Sequence, residues 1–294
     1  MPSMNQWRAG LASLYVTTGV GFTRLYRHTR EKPQEETEVD LHLKGKNAVI
    51  LGGTRGIGRA IADTLAGEGA NVAVCARNEK QVAETVEALQ AKGVKATGAS
   101  VDITDEDALK SWIRKAGVEL GGIDILVSNA GAMAQGNTPE AWTQNFQLDV
   151  LGAVNAFNAA EPFLDKAAKS HGDAAFVIIA SVSAAQADRA DSYGPIKASL
   201  IHFAKGLARE NAANRLRVNV VSPGMVYFEG GIWHMIETNQ PEFFKQANSR
   251  NPTGRCATPQ EIANAAVFLA SPASSYTTGV NLVVDGAVSN RVNF

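Results

Sequence analysis

From Leu43 onward, short runs of Val, Ile, Leu and Ala alternate with longer stretches whose apolar residues recur every three or four positions. Residues 48–51, 72–76, 96–100, 125–128, 176–180, 218–221 and 282–284 form the short runs. They are bounded by Gly, Asn, Asp or Ser and are too short for helices, so they read as strands. Residues 57–68, 81–92, 108–119, 142–169, 193–211 and 260–269 carry the helical period. Strands that are apolar throughout, rather than on alternate residues, suit a parallel sheet covered on both faces. The alternation of strand and helix predicts right-handed crossovers. The fold class is therefore α/β: a doubly wound, parallel, seven-stranded sheet with helices on both faces, in a single domain.

Residues 1–38 follow another pattern. Met1 to Arg30 contains no Asp or Glu but holds Arg8, Arg24, Arg27 and Arg30. Trp7, Leu11, Leu14, Tyr15, Phe22, Leu25 and Tyr26 approximate helical spacing, and residues 31–38 are a polar linker containing Pro33. Three readings stand: a mitochondrial transit peptide, a helix lying on a membrane surface, or an extension with no targeting role. The remaining residues, 39–294, form the predicted domain.

Composition removes several function classes. Lys and Arg number 28 against 29 Asp and Glu, so no basic excess points to nucleic acid. No run approaches the roughly 20 apolar residues of a membrane helix. The five histidines, His28, His42, His171, His202 and His234, do not stand at metal-ligand spacing, so no metal site is expected. The two cysteines, Cys75 and Cys256, are too few for a disulfide framework and fit a reducing compartment.

The first strand runs into Gly52-Gly53-Thr54-Arg55-Gly56-Ile57-Gly58 and then a helix. Glycines at such a turn let the backbone approach a pyrophosphate, whose charge meets the helix N-terminus. The end of the second strand sets the cofactor. An acid there would hold a ribose 2′-hydroxyl. Ala76 stands in its place, Arg77 follows, and Arg55 lies in the loop. Two guanidiniums suit a 2′-phosphate, so NADP(H) is expected. Glu79 is a rival ribose ligand, although it lies past the strand end.

Tyr193-Gly194-Pro195-Ile196-Lys197 puts Tyr and Lys four residues apart, on one helix face. A free phenol ionises near pH 10. An ammonium beside it favours the phenolate and makes it a usable acid and base nearer neutrality. Pro195 requires the helix to begin near Tyr193. Ser181, at the end of an apolar strand, is a candidate donor to a carbonyl oxygen, with Ser183 as its rival.

Together these features resemble the short-chain dehydrogenase/reductase family, over residues 39–294. Val101-Asp102 resembles the family's adenine-pocket motif, although Asp102 also reads as a loop residue before a helix. Ser128-Asn129-Ala130-Gly131 resembles the Asn-Asn-Ala-Gly stretch, and Val221-Ser222-Pro223-Gly224 the turn beside the nicotinamide. Val283-Val284-Asp285-Gly286 resembles the C-terminal strand. The chain is similar to bacterial 3-oxoacyl-(acyl-carrier-protein) reductases. The resemblance implies that Ser181 positions a carbonyl, Tyr193 protonates it, and Lys197 binds the nicotinamide ribose. It implies cofactor contacts from Gly52, Thr54, Arg55, Gly56, Ile57, Gly58, Arg77, Asp102, Asn129, Ala130, Gly131, Tyr193, Lys197, Pro223 and Gly224. It also implies a dimer or tetramer and a cytoplasmic location.

Four positions depart from the family pattern. Leu51 replaces a common Thr, and Ala287 a common Gly. Phe228 ends a stretch, Met225-Val226-Tyr227-Phe228, that lacks the usual Thr. Asp149 stands where the family has a catalytic Asn, with Asn145 and Asn155 as the nearest substitutes. Residues 226–250 carry Phe228, Ile232, Trp233, Met235, Ile236, Phe243 and Phe244. They read as a lid favouring a hydrophobic carbonyl or alcohol substrate, or as packing and oligomer surface. Three functions follow: an NADPH-dependent carbonyl reductase, a dehydrogenase of secondary alcohols, or a non-catalytic nucleotide binder on the same fold.

Overall fold

Seven strands form one wholly parallel sheet: β1 (Asn47–Leu51), β2 (Asn71–Ala76), β3 (Ala96–Ser100), β4 (Ile125–Ser128), β5 (Ala174–Ile179), β6 (Leu216–Pro223) and β7 (Asn281–Val284). Their order is β3-β2-β1-β4-β5-β6-β7. The computed structural model describes residues 39–187, 189–290 and 292. The readings made for residues 1–38 lie outside them.

The inner strands are the most buried, although β6 carries Arg217, Asn219 and Ser222 among its apolar residues. β4, β5 and β6 are buried at every position, whereas the edge strand β3 is Ala-Thr-Gly-Ala-Ser and only half-buried. The helices are α1 (Gly56–Gly67), α2 (Glu79–Gln90), α3 (Glu106–Leu120), α4 (Pro139–Asn145), α5 (Gly152–His171), α6 (Tyr193–Asn211), α7 (Ile232–Asn239), α8 (Pro241–Ser249) and α9 (Pro259–Ala270). One face of the sheet packs against α3, α5 and α6 through Trp112, Ile113, Leu164 and Leu200, with Phe157 stacked on Phe176 at 5.6 Å. The other packs against α1 and α9 through Ile61, Leu65, Ile262 and Val267. From β1 the chain winds outward to β3, then crosses back to β4. That reversal opens a crevice at the C-terminal ends of β1 and β4, where open α/β sheets bind ligands. No helix among the described residues is long and apolar enough to cross a membrane.

Two helix readings have different outcomes. The helix over 193–211 begins at Tyr193, as Pro195 requires. The single helix expected over 142–169 is instead α4, a π-helical turn at Phe146–Leu151, and α5. Periodicity alone does not register a π-turn, because one extra residue per turn shifts the apolar stripe without ending it.

Both cysteines are free. Cys75 is sealed inside β2, and burial pushes its thiol up to about 12. Cys256 is half-buried, with Sγ 3.7 Å from Asn248 Oδ1; burial, then the Glu237 carboxylate, raise its thiol too.

The N-terminal edge of the sheet is pinned by Arg217 at the start of β6. Its guanidinium binds both oxygens of Asp173, at 2.6 and 2.9 Å. It also donates to the carbonyls of Leu269 and Ser271 and to Ser274 Oγ. Arg217→Met would strip the end of α9 of these donors and leave Asp173 without its partner. We expect a loss of about 3 kcal/mol, in the range for breaking a buried pair. Guanidinium-induced unfolding measures it, and a loss below about 1 kcal/mol would show the cluster to be dispensable.

Candidate active site

The glycine-rich loop is built by close backbone contacts. A Cβ on Gly58 would stand 2.1 Å from the Gly52 carbonyl and 2.4 Å from Asn129 Nδ2. One on Gly52 would stand 3.1 Å from Ala130 Cα. Asn129 Nδ2 donates to the Gly52 carbonyl at 2.9 Å, so the end of β4 clamps the loop. Gly56 has φ +53°, which an L side chain rarely adopts. Helix α1 then starts with no side-chain cap and no acid in its first turn. Its first N–H groups are left to an anion. This donor set fits the pyrophosphate of a dinucleotide.

Arg77 is exposed just past β2. Asp102, beyond β3, accepts from the hydroxyl and amide of Thr104 at 2.7 and 3.0 Å. Those bonds, with Arg77 nearby, hold its carboxyl below the usual range. Asp102 is thus a turn former that lies within the field of Arg77. Arg55 donates through Nη1 to the Gly230 carbonyl at 3.3 Å. Thr54 Oγ1 lies 3.5 Å from Gln81 Oε1, and Ile57 packs on the core beside α1. Glu79 sits in the first turn of α2, not on the strand. Pro223 ends β6, and Gly224 is tied to β7 by its amide on the Val284 carbonyl at 3.0 Å.

The chemistry-bearing side chains meet beside the ends of β4 and β5. Lys197 and Asp149 are both buried, with Nζ 3.0 Å from Oδ2. That oxygen has no other polar partner. Asp149 Oδ1 accepts from the Ala132 amide at 2.8 Å, and Lys197 Nζ donates to the Ile179 carbonyl at 3.3 Å. Gly131 lies against the pair, with a Cβ there at ordinary contact distance, 3.4 Å, from Lys197 Nζ. Burial alone would lower the lysine's pKa. The attraction of Asp149, then of Tyr193, outweighs it, and the net shift is upward. The ammonium lies 5.7 Å from the centroid of the half-buried Tyr193 ring. Ser181 follows β5 two residues after Ile179, and its Oγ accepts from the Ser183 amide at 3.1 Å. Ser183 itself lies within a short turn against which Gly194 packs, 2.7 Å from a Cβ there to the Ser183 carbonyl. Asn155 lies half-buried on α5.

Two supporting residues escaped the sequence reading in this role. Asp191 Oδ1 accepts from the amides of Tyr193 and Gly194 at 3.1 and 3.5 Å and so caps the helix that carries Tyr193 and Lys197. An Asp just before a helix start is a capping signal, and the pair Asp191-Ser192 could have been read as one. Asn145 is fully buried. Its side chain bonds both the amide and the carbonyl of Ala134 and donates to Ser192 Oγ at 2.8 Å. It ties the segment after β4 to the residue before Tyr193, across a separation that no local motif encodes.

Helices α7 and α8 rise from the end of β6. Their base is fixed where the Tyr227 amide reaches the Ala257 carbonyl at 2.9 Å. Phe244 packs against Tyr227 and Trp233 at 6.0 and 6.3 Å between ring centroids, and the Tyr227 hydroxyl donates to Glu237. Met235 and Phe243 remain exposed. Among the described residues no group of His, Cys, Asp or Glu is placed to hold a metal ion.

Comparison with known proteins agrees with this fold. A family model described as enoyl-(acyl carrier protein) reductase, of the adh_short_C2 type, matches residues 52–289. The isoepoxydon dehydrogenase of Penicillium expansum is 34% identical over 257 residues, spanning 86% of this chain and 98% of its own length. The 3-oxoacyl-(acyl-carrier-protein) reductase of Escherichia coli is 34% identical over 253 residues, spanning 84% and 99%. The L-sorbose reductase of Gluconobacter frateurii, solved with NADPH and L-sorbose, superposes with a TM-score of 0.78 at 30% identity, over 86% of this chain and 100% of the other. The protein is a member of the short-chain dehydrogenase/reductase superfamily of oxidoreductases.

Proposed function

We propose that the protein reduces a ketone to a secondary alcohol with NADP(H), and that Tyr193 is the acid. The observation that carries this reading is the buried ammonium of Lys197, held by Asp149 and facing the Tyr193 ring. NADP(H), when bound, supplies the hydride. The uncapped start of α1 and the backbone of Gly52 to Gly58 would hold its pyrophosphate, and Arg77 and Arg55 its 2′-phosphate. Asn129, Ala130, Gly131, Pro223 and Gly224 would line the rest of its path. The NADPH complex of the similar L-sorbose reductase supports this cofactor.

The other steps belong to the chain's own side chains. Ser181 donates a hydrogen bond to the substrate carbonyl, where charge gathers as the hydride arrives. Tyr193 gives that oxygen its proton. Lys197 stays protonated and stabilises the phenolate left behind. Asp149 keeps Lys197 charged and accepts hydrogen bonds from water on the proton's return path. The apolar and aromatic residues of α7 and α8 favour a hydrophobic carbonyl compound. The same groups run in reverse on a secondary alcohol, and the similarity to a protein named as a dehydrogenase supports that second reading.

Loss of NADPH absorbance against a panel of cyclic ketones, 3-oxoacyl thioesters and steroids is the direct test. Tyr193→Phe should abolish turnover on any active compound and leave NADPH affinity nearly unchanged. Retention of more than about a tenth of the rate would remove Tyr193 from the role of acid.

NADPH should bind at least about tenfold more tightly than NADH, equivalent to about 1.4 kcal/mol. Arg77→Ala should weaken NADPH far more than NADH. Equal affinities in the unaltered protein, by fluorescence titration, would contradict the assignment of Arg55 and Arg77.

Asp149 makes its own prediction. Its negative charge strengthens the hold on every proton nearby. Asp149→Asn removes the charge and keeps the shape, so the alkaline limb of the reductive pH–rate profile should move to lower pH, with most activity retained. Asp149→Ala also removes the anchor of Lys197 and should lose roughly tenfold or more in kcat. Profiles identical to the parent in both variants would show that Asp149 has no part in proton transfer.

A further inference from the structure

The face of Gly56 left open by its missing side chain is filled by this chain itself. A Cβ on Gly56 would stand 2.5 Å from Phe228 Cζ and 2.8 Å from each Cε. The tip of the Phe228 ring therefore points at the Gly56 backbone. The other side of the ring rests on Gly231, where a Cβ would lie 2.9 Å from Cε1 and Cζ. The ring also packs on the apolar surface beside α1. A second contact joins the same parts: Arg55, next to Gly56, donates to the Gly230 carbonyl at 3.3 Å. The base of the α7–α8 segment is thus closed onto the glycine-rich loop from both sides of Gly56. One contact is apolar and the other uses a guanidinium.

Two demands on this loop conflict with that closure. An anion reaching the start of α1 needs the open face of a glycine, because any side chain there blocks its approach. A benzyl ring has no donor to offer a phosphate, and its tip stands over Gly56 where the phosphate oxygens would approach. We propose that Phe228 is a gating residue for the cofactor, whose ring must leave Gly56 before a dinucleotide pyrophosphate seats, so that cofactor entry and movement of the lid base are one event. The proposal rests on reading residues 52–58 as the nucleotide site. Arg55 adds a charge-dependent half to the gate. A 2′-phosphate draws its guanidinium from the neutral Gly230 carbonyl, since a charge-assisted bond to an oxyanion is the stronger one. The segment that closes over the substrate is thereby released by the same ligand that brings the hydride.

The gate makes an unusual demand on mutagenesis: cutting away a side chain at the cofactor site improves binding. Phe228→Ala is expected to lower the Kd for NADPH at least about fivefold, and to do so by raising the association rate while leaving dissociation nearly unchanged. Phe228→Leu, shorter than the ring but still apolar, should fall between and guards against a folding defect in the Ala variant. Adenosine 2′-phosphate carries no pyrophosphate and does not reach Gly56, so it feels the gate only through Arg55, and its affinity should change much less than that of NADPH among the three proteins. Stopped-flow nicotinamide fluorescence and competition titration give these numbers on the full chain. NADPH binding that is unchanged or weaker in both variants would overturn the gate while leaving the nucleotide site in place. Failure of NADPH to bind the parent and both variants alike would overturn the nucleotide site and the gate together.

Discussion

Burial of a parallel sheet on both faces is the constraint from which the rest follows. Strands covered on each side by helices hold few polar side chains along their length, and those in β6, Arg217, Asn219 and Ser222, are buried with fixed hydrogen-bond partners. The polar work is exiled to the strand ends, where helices begin and the backbone has free donors. The loops of the candidate site sit there, and the helix-borne Asp149, Tyr193 and Lys197 lie beside them. The glycine-rich loop follows β1, Arg77 follows β2, Asp102 follows β3, Asn129 follows β4 and Ser181 follows β5. The reversal between β1 and β4 parts two of these loops and lets the others converge on the gap.

Within that frame the Lys197–Asp149 pair is an energetic commitment. Taking two charges out of water costs several kcal/mol per ion, and their attraction recovers it only with good geometry. The pair meets that condition by sharing its partners with fixed backbone: the Ala132 amide on one oxygen, and the Ile179 carbonyl on the ammonium. The π-helical turn that contains Asp149 sets it opposite Lys197. A buried pair of this kind is weak evidence for stability, and under the proposed function it supplies charge beside Tyr193.

The sequence pattern was most legible where a signal is local and repeated. The runs that became β1, β2 and β4 are apolar without interruption and flanked by turn formers, so their identity and parallel pairing followed from composition. Tyr193 and Lys197 were legible because a helix turn is the shortest distance that brings a phenol to an ammonium. The π-turn was hidden, since residues 142–169 keep a helical stripe on either side of it. Asn145 was hidden for another reason. Its partners, Ala134 and Ser192, lie 11 and 47 residues away, and only the folded chain brings them together. Arg55 illustrates a third limit. Its place in the loop was plain, but the Gly230 carbonyl it touches lies 175 residues along the chain.

The two thiols differ in a way that matters at the bench. Burial in β2 pushes the Cys75 thiol up to about 12, so it presents almost no thiolate to a reagent while the fold persists. Cys256 is the chain's other cysteine, half-buried, and its neighbour Ala257 pairs with the backbone at Met225 and Tyr227. Its raised thiol calls for mildly alkaline conditions, but no other sulfur nucleophile competes for an alkylating dye. The native sequence thus carries a single attachment point for a spectroscopic label at the foot of the α7–α8 segment, with no cysteine to be added or removed.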